Sequence, residues 1–149
     1  PATLDKITAE AIDWKKFEHR EGELGSGRLA FLGNQKTPYT GWMKNMYGKG
    51  QIYTLTQLKD GNANGLNRTW YSNGQKSSEV NFKDGKLMSA VVWKPNGERC
   101  PVTNLKDGNG VVLTYGVDGT EDGTVSLHSS YKNGEFVLPP DSLLQRLFD

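Results

Sequence analysis

Trp70-Tyr71-Ser72-Asn73-Gly74-Gln75-Lys76-Ser77, followed by Asn81-Phe82-Lys83-Asp84-Gly85, carries the information from which the architecture can be read. Two X-Gly pairs stand eleven residues apart, with strand-forming residues between them. Asn-Gly and Asp-Gly between such runs are the strongest short-range hairpin signal, because a tight hairpin turn needs positive φ that Asn, Asp and Gly tolerate best. The same signal recurs outward in both directions. One series is Lys49-Gly50, Asn73-Gly74, Asn96-Gly97 and Asp118-Gly119, with steps of 24, 23 and 22 residues. A second interleaves with it: Asp60-Gly61, Asp84-Gly85, Asp107-Gly108 and Asn133-Gly134. A fixed period of this length means stacked copies of one supersecondary unit.

Hairpin arithmetic assigns faces. A two-residue turn at Asn73-Gly74 sets Tyr71 opposite Lys76 and Asn67 opposite Val80. A second at Asp84-Gly85 sets Phe82 opposite Leu87 and Ser78 opposite Val91. Alternation then groups Tyr71, Val80, Phe82, Leu87, Val91 and Trp93 on one side of the sheet, and Trp70 on the other. Residues 87–93 (LMSAVVW) are apolar almost throughout, which predicts cover on both faces. Pro95 predicts a different turn at Asn96-Gly97, with a bulge. Three columns emerge when the units are aligned: Met46, Trp70, Trp93 and Tyr115; Leu58, Phe82, Leu105 and Tyr131; Lys59, Lys83, Lys106 and Lys132. The two apolar columns are the expected stacking spine, since one hairpin cannot bury its own apolar face.

The expected fold class is all-β: an elongated antiparallel meander of repeated β-hairpins, with short N- and C-terminal helices as caps. Residues 1–24 form the lead-in, 25–137 the repeats and 138–149 the C-terminal cap. Within the lead-in, Asp13 caps a short helix that Ile12 and Phe17 staple. Residues 22–27 read as a turn-rich hinge and 28–32 as the first strand. Past Pro139-Pro140, Asp141 caps a helix over 142–148 that would cover an open sheet edge.

Composition narrows the function classes. Apolar residues make up 35% and there are 18 glycines, which suits thin sheets with many turns. The net charge is +1 with basic residues spread out, so no nucleic-acid footprint is present. No apolar run is long enough to span a membrane as a helix. Cys100 is the only cysteine, so no internal disulfide is possible and the compartment stays open between secreted or periplasmic and cytoplasmic. The chain starts at Pro1 rather than Met, as expected of a processed or trimmed chain; a removed secretory signal and a cut boundary are equally compatible.

Candidate chemistry is sparse, and neither a cofactor nor a metal is expected. A Cys–His nucleophile requires Cys100 beside His19 or His128, whereas Cys100 reads as a small core residue in mid-strand. Gly108-Asn109-Gly110 is a turn and not a phosphate loop. Glu121-Asp122 reads as a solvated pair, with cation binding as the alternative. Asn67-Arg68-Thr69 matches a glycosylation sequon, a common chance pattern. Two surfaces are left as binding candidates. Lys59, Lys83, Lys106 and Lys132 would form a basic ladder, either for anionic lipid or acidic polymers or simply to protect an edge. Trp42, Trp70 and Tyr71 would form an aromatic strip for a peptide or glycan if they face outward, and core if inward.

These residues resemble the variant MORN repeat family of bacteria. Tyr39-Thr40-Gly41-Trp42, Met46-Tyr47-Gly48-Lys49-Gly50-Gln51 and Lys59-Asp60-Gly61 resemble one unit, and the stretch quoted at the outset is closer still. The likeness covers about 39–137. Unit three departs at Lys94-Pro95, and unit four at Tyr115-Gly116-Val117-Asp118-Gly119. The resemblance implies a hairpin meander without enzymatic activity, used for protein scaffolding, for lipid attachment in eukaryotic relatives, or as an antitoxin or immunity partner. A weaker likeness is to cell-wall-binding hairpin repeats whose paired aromatics cage choline or sugar; the Lys-Asp-Gly turn favours the first family. A protein partner is therefore the first expectation, with anionic lipid or glycan as the alternative.

Overall fold

The computed structural model describes residues 3–21, 27–116 and 125–138. The expected C-terminal helix, the Asp118-Gly119 turn, the Glu121-Asp122 pair and most of the 22–27 hinge lie outside those residues. The chain is all-β, and among the described residues one short α-helix is present, α1 (Leu4–Glu10). Strands β1 (Ile12–Asp13), β2 (Phe17–Glu21), β3 (Arg28–Leu32), β4 (Gly41–Met46), β5 (Ile52–Lys59), β6 (Asn62–Trp70), β7 (Lys76–Lys83) and β8 (Lys86–Val92) are followed by β9 (Gly110–Tyr115), β10 (Val125–Lys132) and β11 (Glu135–Val137). β4 to β8 form an antiparallel meander, and β1 adds a parallel edge to make six strands in the order β1-β4-β5-β6-β7-β8. β9 to β11 form a three-stranded sheet, and β2 with β3 a hairpin.

The two turn series differ in chemistry. Asp60, Asp84, Asp107 and Asn133 have φ of 48°, 50°, 50° and 52°, and the glycine after each is at 79°, so these are two-residue turns with both central residues left-handed. The first series is different. At Asn73-Gly74 only the glycine has positive φ, at 85°. Gly74 N–H donates to Tyr71 O (3.0 Å), Tyr71 N–H donates to Gln75 O (2.8 Å), and Gln75 N–H donates to Asn73 Oδ1 (2.9 Å). This is a three-residue loop closed by a glycine bulge, and it corrects the expected two-residue turn. Asn96-Gly97 repeats it, with Gly97 N–H to Lys94 O, Lys94 N–H to Glu98 O and Glu98 N–H to Asn96 Oδ1 at 2.9, 2.7 and 2.9 Å. Pro95 thus gives the same turn as Ser72 does, because proline suits the second position of such a turn.

Bulges correct the faces. Asn67 pairs with Val80 as expected, but Trp70, not Tyr71, pairs with Lys76, leaving Ser77 as an extra residue in β7. Phe82 pairs with Leu87, whereas Asn81 pairs with Ser89, so Met88 is extra in β8 and Ser78 meets Val92 rather than Val91. Beyond the bulge, Ala90 and Val92 consequently join Leu87 as the buried residues of β8, and Val91 and Trp93 turn to the other face, where they are half-buried. One inserted residue reverses every later side chain in a strand. Tyr53 is a third such insertion, between the pairs Asn45–Thr54 and Met46–Ile52.

The inner face of the six-stranded sheet carries two apolar clusters. At the β8 end, Tyr71, Leu87, Ala90 and Val92 pack with Cys100, Leu105, Val112 and Tyr115, and Val80, Phe82 and Tyr131 pack against them. At the β4 end, Phe17, Ala30 and Leu58 pack with Ile12, Tyr39 and Met43. The expected spine is therefore split. Leu58, Leu105 and Tyr115 are buried, and Phe82 and Tyr131 lean on the core, while Met46, Trp70 and Trp93 are half-buried outside both clusters. Adjacent units are tied by tyrosine hydroxyls one position later: Tyr47 Oη donates to Trp70 O (2.8 Å) and Tyr71 Oη to Trp93 O (2.6 Å).

The lead-in also departs from expectation. Helix α1, capped by the Thr3 side chain, precedes Asp13 rather than following it. Asp13 caps only a 3-10 turn, Trp14–Lys16, through Lys15 N–H at 2.9 Å. Lys44 Nζ donates to Thr8 O (2.8 Å), fastening α1 to β4. β1 joins the main sheet, and β2 pairs with β3 across the expected 24/25 boundary, so the lead-in is woven into the repeats. Cys100 lies outside any strand, yet is 3% exposed in the core, bonded through its N–H to Val92 O at 2.7 Å.

Candidate functional site

The lysine column sits on a file of stacked turns. Gly61, Gly85, Gly108 and Gly134 donate their N–H groups to Tyr39 O, Ala63 O, Met88 O and Gly108 O at 2.8, 3.0, 2.8 and 2.8 Å, so each turn rests beside an earlier segment. Lys59, Lys83, Lys106 and Lys132 each precede one of these turns and all are exposed. Asp60, Asp84 and Asp107 accompany three of them and offset the charge. Among the described residues none of the four lysines is ion-paired; the neighbouring Lys86 pairs with Glu135 at 3.6 Å.

The outer face carries the tryptophans. The row Lys44–Leu55–Arg68–Glu79–Val91 is fixed by cross-strand pairing, and alternation puts Trp42 and Trp70 on that same face. Leu55 is 0% exposed, so this face has an apolar base as well. Arg68 reaches Glu79 at 2.8 Å, Lys76 reaches it at 3.5 Å, and Lys76 Nζ lies 4.3 Å from the centre of the Trp93 ring. Trp42, Trp70 and Trp93 are half-buried. Tyr71 does not belong to this strip: it is 1% exposed and points into the core.

Between the two apolar clusters, the inner face is polar. Thr54, Thr56, Asn67, Thr69 and Ser78 occupy inward positions on β5, β6 and β7. The sequon asparagine is engaged there, Asn67 Nδ2 donating to Thr56 Oγ1 at 2.7 Å. Beside this stripe lies a cavity of about 230 Å³. Tyr53, Tyr71, Tyr115, Thr69, Ser77 and Ser78 line it, completed by Val92 and Thr114. Tyr53 and Ser77 are bulge residues, inserted where a bulge re-aims a side chain. Sequence reasoning missed this group because its signal, hydroxyl residues at alternate inward positions, is ordinary for strands.

Burial pushes the Tyr71 phenol up to about 12, with Tyr115, Cys100 and Tyr47 nearby adding to it. Burial and the bond to Cys100 do the same for Tyr115, again to about 12. Burial also opposes ionisation of the Cys100 thiol, but hydrogen bonds outweigh it and lower the group to about 7. Thr103 Oγ1 and Tyr115 Oη both donate to its sulfur at 3.4 Å; neither histidine is among its hydrogen-bond partners. His128 is exposed on β10 and His19 on β2. Raised folded-state values mean that these two tyrosines contribute full stability below pH 10, their ordinary value, and lose it as pH climbs from 10 towards 12. Urea midpoints measured across that interval should fall, and the fall should shrink in Tyr115→Phe.

No group of three or more His, Cys, Asp or Glu among the described residues is placed to hold a metal ion. No helix among them is long and apolar enough to cross a membrane. Comparison with family models, curated proteins and solved structures finds no match for this chain.

Proposed function

We propose that this chain is a non-catalytic repeat module that binds a protein partner, as a scaffold or as an antitoxin- or immunity-like inhibitor of the kind the variant MORN repeats suggest. One observation carries the reading: Trp42, Trp70, Trp93 and Arg68 share the outer face of the six-stranded sheet. Tryptophan and arginine dominate the energetics of protein interfaces, because a half-buried ring already ordered by its sheet loses little entropy on docking. Affinity capture from the source of the chain should return one protein reproducibly. The double variant Trp42→Ala/Trp70→Ala should bind it at least roughly 30-fold more weakly, the scale of a hot-spot truncation, with an unchanged far-ultraviolet spectrum. Capture that ignores the double substitution would remove this face from consideration.

The exposed lysine file supports a second reading, an envelope-associated module that binds glycan or anionic lipid. Charge reversal of Lys59, Lys83 and Lys106 to Glu should abolish salt-sensitive binding to phosphatidylserine vesicles, since each basic residue near such a surface contributes about 1 kcal/mol. Binding that survives the reversal, or that is indifferent to salt, counts against the file as the contact.

A further inference from the structure

Between the two apolar clusters the inward positions of β5, β6 and β7 carry Thr, Asn and Ser, half-buried except for the buried Thr56, beside a cavity of about 230 Å³. We propose that this cavity is a binding site for one neutral pyranose ring, either a free monosaccharide or the terminal residue of a glycan.

Charge, polarity and size each restrict the ligand. No charged side chain lines the cavity among the described residues, so an ionic ligand would be desolvated without a counter-charge. A wholly apolar ligand would strand the hydroxyls. Thr69 Oγ1 bonds both Ser77 Oγ and Ser78 Oγ at 2.6 Å. Those two bonds consume two of the three protons on these hydroxyls, leaving one donor and several lone pairs for a guest. The Tyr53 hydroxyl makes no hydrogen bond to the described residues, whereas those of Tyr71 and Tyr115 are committed to Trp93 O and Cys100 Sγ. Tyr71, 1% exposed, closes the floor of the cavity, while half-buried Tyr53 and the edge of Tyr115 offer ring surface and Tyr53, Thr69, Ser77 and Ser78 offer polar contacts. A saturated ring with C–H faces and equatorial hydroxyls matches that division. The volume lies below the range of roughly 300–1,000 Å³ that holds drug-sized ligands, and equals the share of about seven or eight waters at ~30 Å³ each. That space suits a single sugar ring. The two bulges, at Tyr53 on β5 and Ser77 on β7, bring residues from both strands flanking β6 to the same cavity.

The test uses the full chain, isothermal titration and saturation-transfer NMR, with glucose, galactose, mannose and N-acetylglucosamine as probes and glucuronate as the charged control. At least one neutral sugar should bind, glucuronate should bind at least about tenfold more weakly, and Thr69→Val and Ser78→Ala should each weaken binding about tenfold. Trp42→Ala/Trp70→Ala should leave it unchanged, which separates this site from the outer face. Ser78→Ala guards against misfolding of the Thr69 variant, because it removes one small hydroxyl without adding bulk. A short oligosaccharide carrying the same terminal sugar settles the source. Equal affinity for both forms identifies the single ring as the ligand, and binding by the oligosaccharide alone identifies a chain end; either upholds the cavity as the site when the Ser78 variant weakens it. The proposal fails if neither a monosaccharide nor the oligosaccharide binds, if glucuronate binds as well as the best neutral sugar, or if both hydroxyl variants bind like the parent.

Discussion

Gly108→Ala is expected to destabilise the fold by about 3–5 kcal/mol, the sum of a left-handed backbone penalty and a backbone collision. Gly108 has φ +79°, and a Cβ there would lie 2.5 Å from Gly134 N and 3.0 Å from Asn133 C. Neither atom belongs to a side chain that can swing away. The shift needed to relieve them would stretch the bond from Gly134 N–H to Gly108 O, now 2.8 Å, by which the last turn of the file rests on its neighbour. Gly85 is the internal control. It has the same φ of +79°, but a Cβ there would meet nothing within 4 Å. Gly85→Ala should therefore show the conformational cost alone, about 1–2 kcal/mol. Urea unfolding of the two variants measures the difference. Equal losses would mean that the turns are not packed in file.

Tyr71→Ala should cost about 3–5 kcal/mol, the range for truncating a large aromatic residue in a packed core. Tyr71 is 1% exposed and lies among Leu87, Ala90, Val92 and Cys100. Its hydroxyl also holds Trp93 O at 2.6 Å, which links the loop at Asn73-Gly74 to the one at Asn96-Gly97. Tyr71→Phe keeps the ring and leaves that carbonyl without its phenol donor, so about 1–3 kcal/mol should be lost. Tyr47→Phe removes the equivalent bond to Trp70 O from a half-buried position where water can substitute, and should cost less. Thermal melts rank the three: for a chain of this size each kcal/mol lowers Tm by about 2–4 °C. A Tyr71→Phe variant as stable as the parent would show that the inter-unit bond contributes nothing net.

The all-β class, the positions of the turns that fall within the described residues and the antiparallel hairpins around them were legible from the X-Gly spacing, because a hairpin turn is a local event. Asp84-Gly85 illustrates this: two residues that tolerate positive φ, flanked by Phe82 and Leu87, pair as the arithmetic predicts. Asn73-Gly74 shows the limit. The same letters admit a two-residue turn or a three-residue loop, and the latter is the one in which the Asn73 side chain accepts a backbone donor. The loop displaces one residue, so Trp70 takes the place opposite Lys76. The bulge at Met88 had no sequence mark, yet it exchanged Val91 and Trp93 for Ala90 and Val92 in the core. At the N-terminus, Asp13 did cap a turn, but three residues of 3-10 helix replaced the expected helix, and Ile12–Asp13 became a strand instead.

For the candidate surfaces the division is similar. The exposed positions of Lys59, Lys83, Lys106 and Lys132 followed from their place beside turns, and Trp70 did fall on the face opposite Tyr71. The cavity did not follow. Thr69, Ser77 and Ser78 look like any strand hydroxyls, and Tyr115 is 44 residues from Tyr71 along the chain. Turn geometry depends on two to four consecutive residues and their own φ preferences, so it could be read directly along the chain. Where a strand bulges, and which hydroxyls then share a cavity with Tyr71 and Tyr115, depends on packing between segments distant in sequence. That balance is set by the whole layer at once, and no single stretch of the chain contains it.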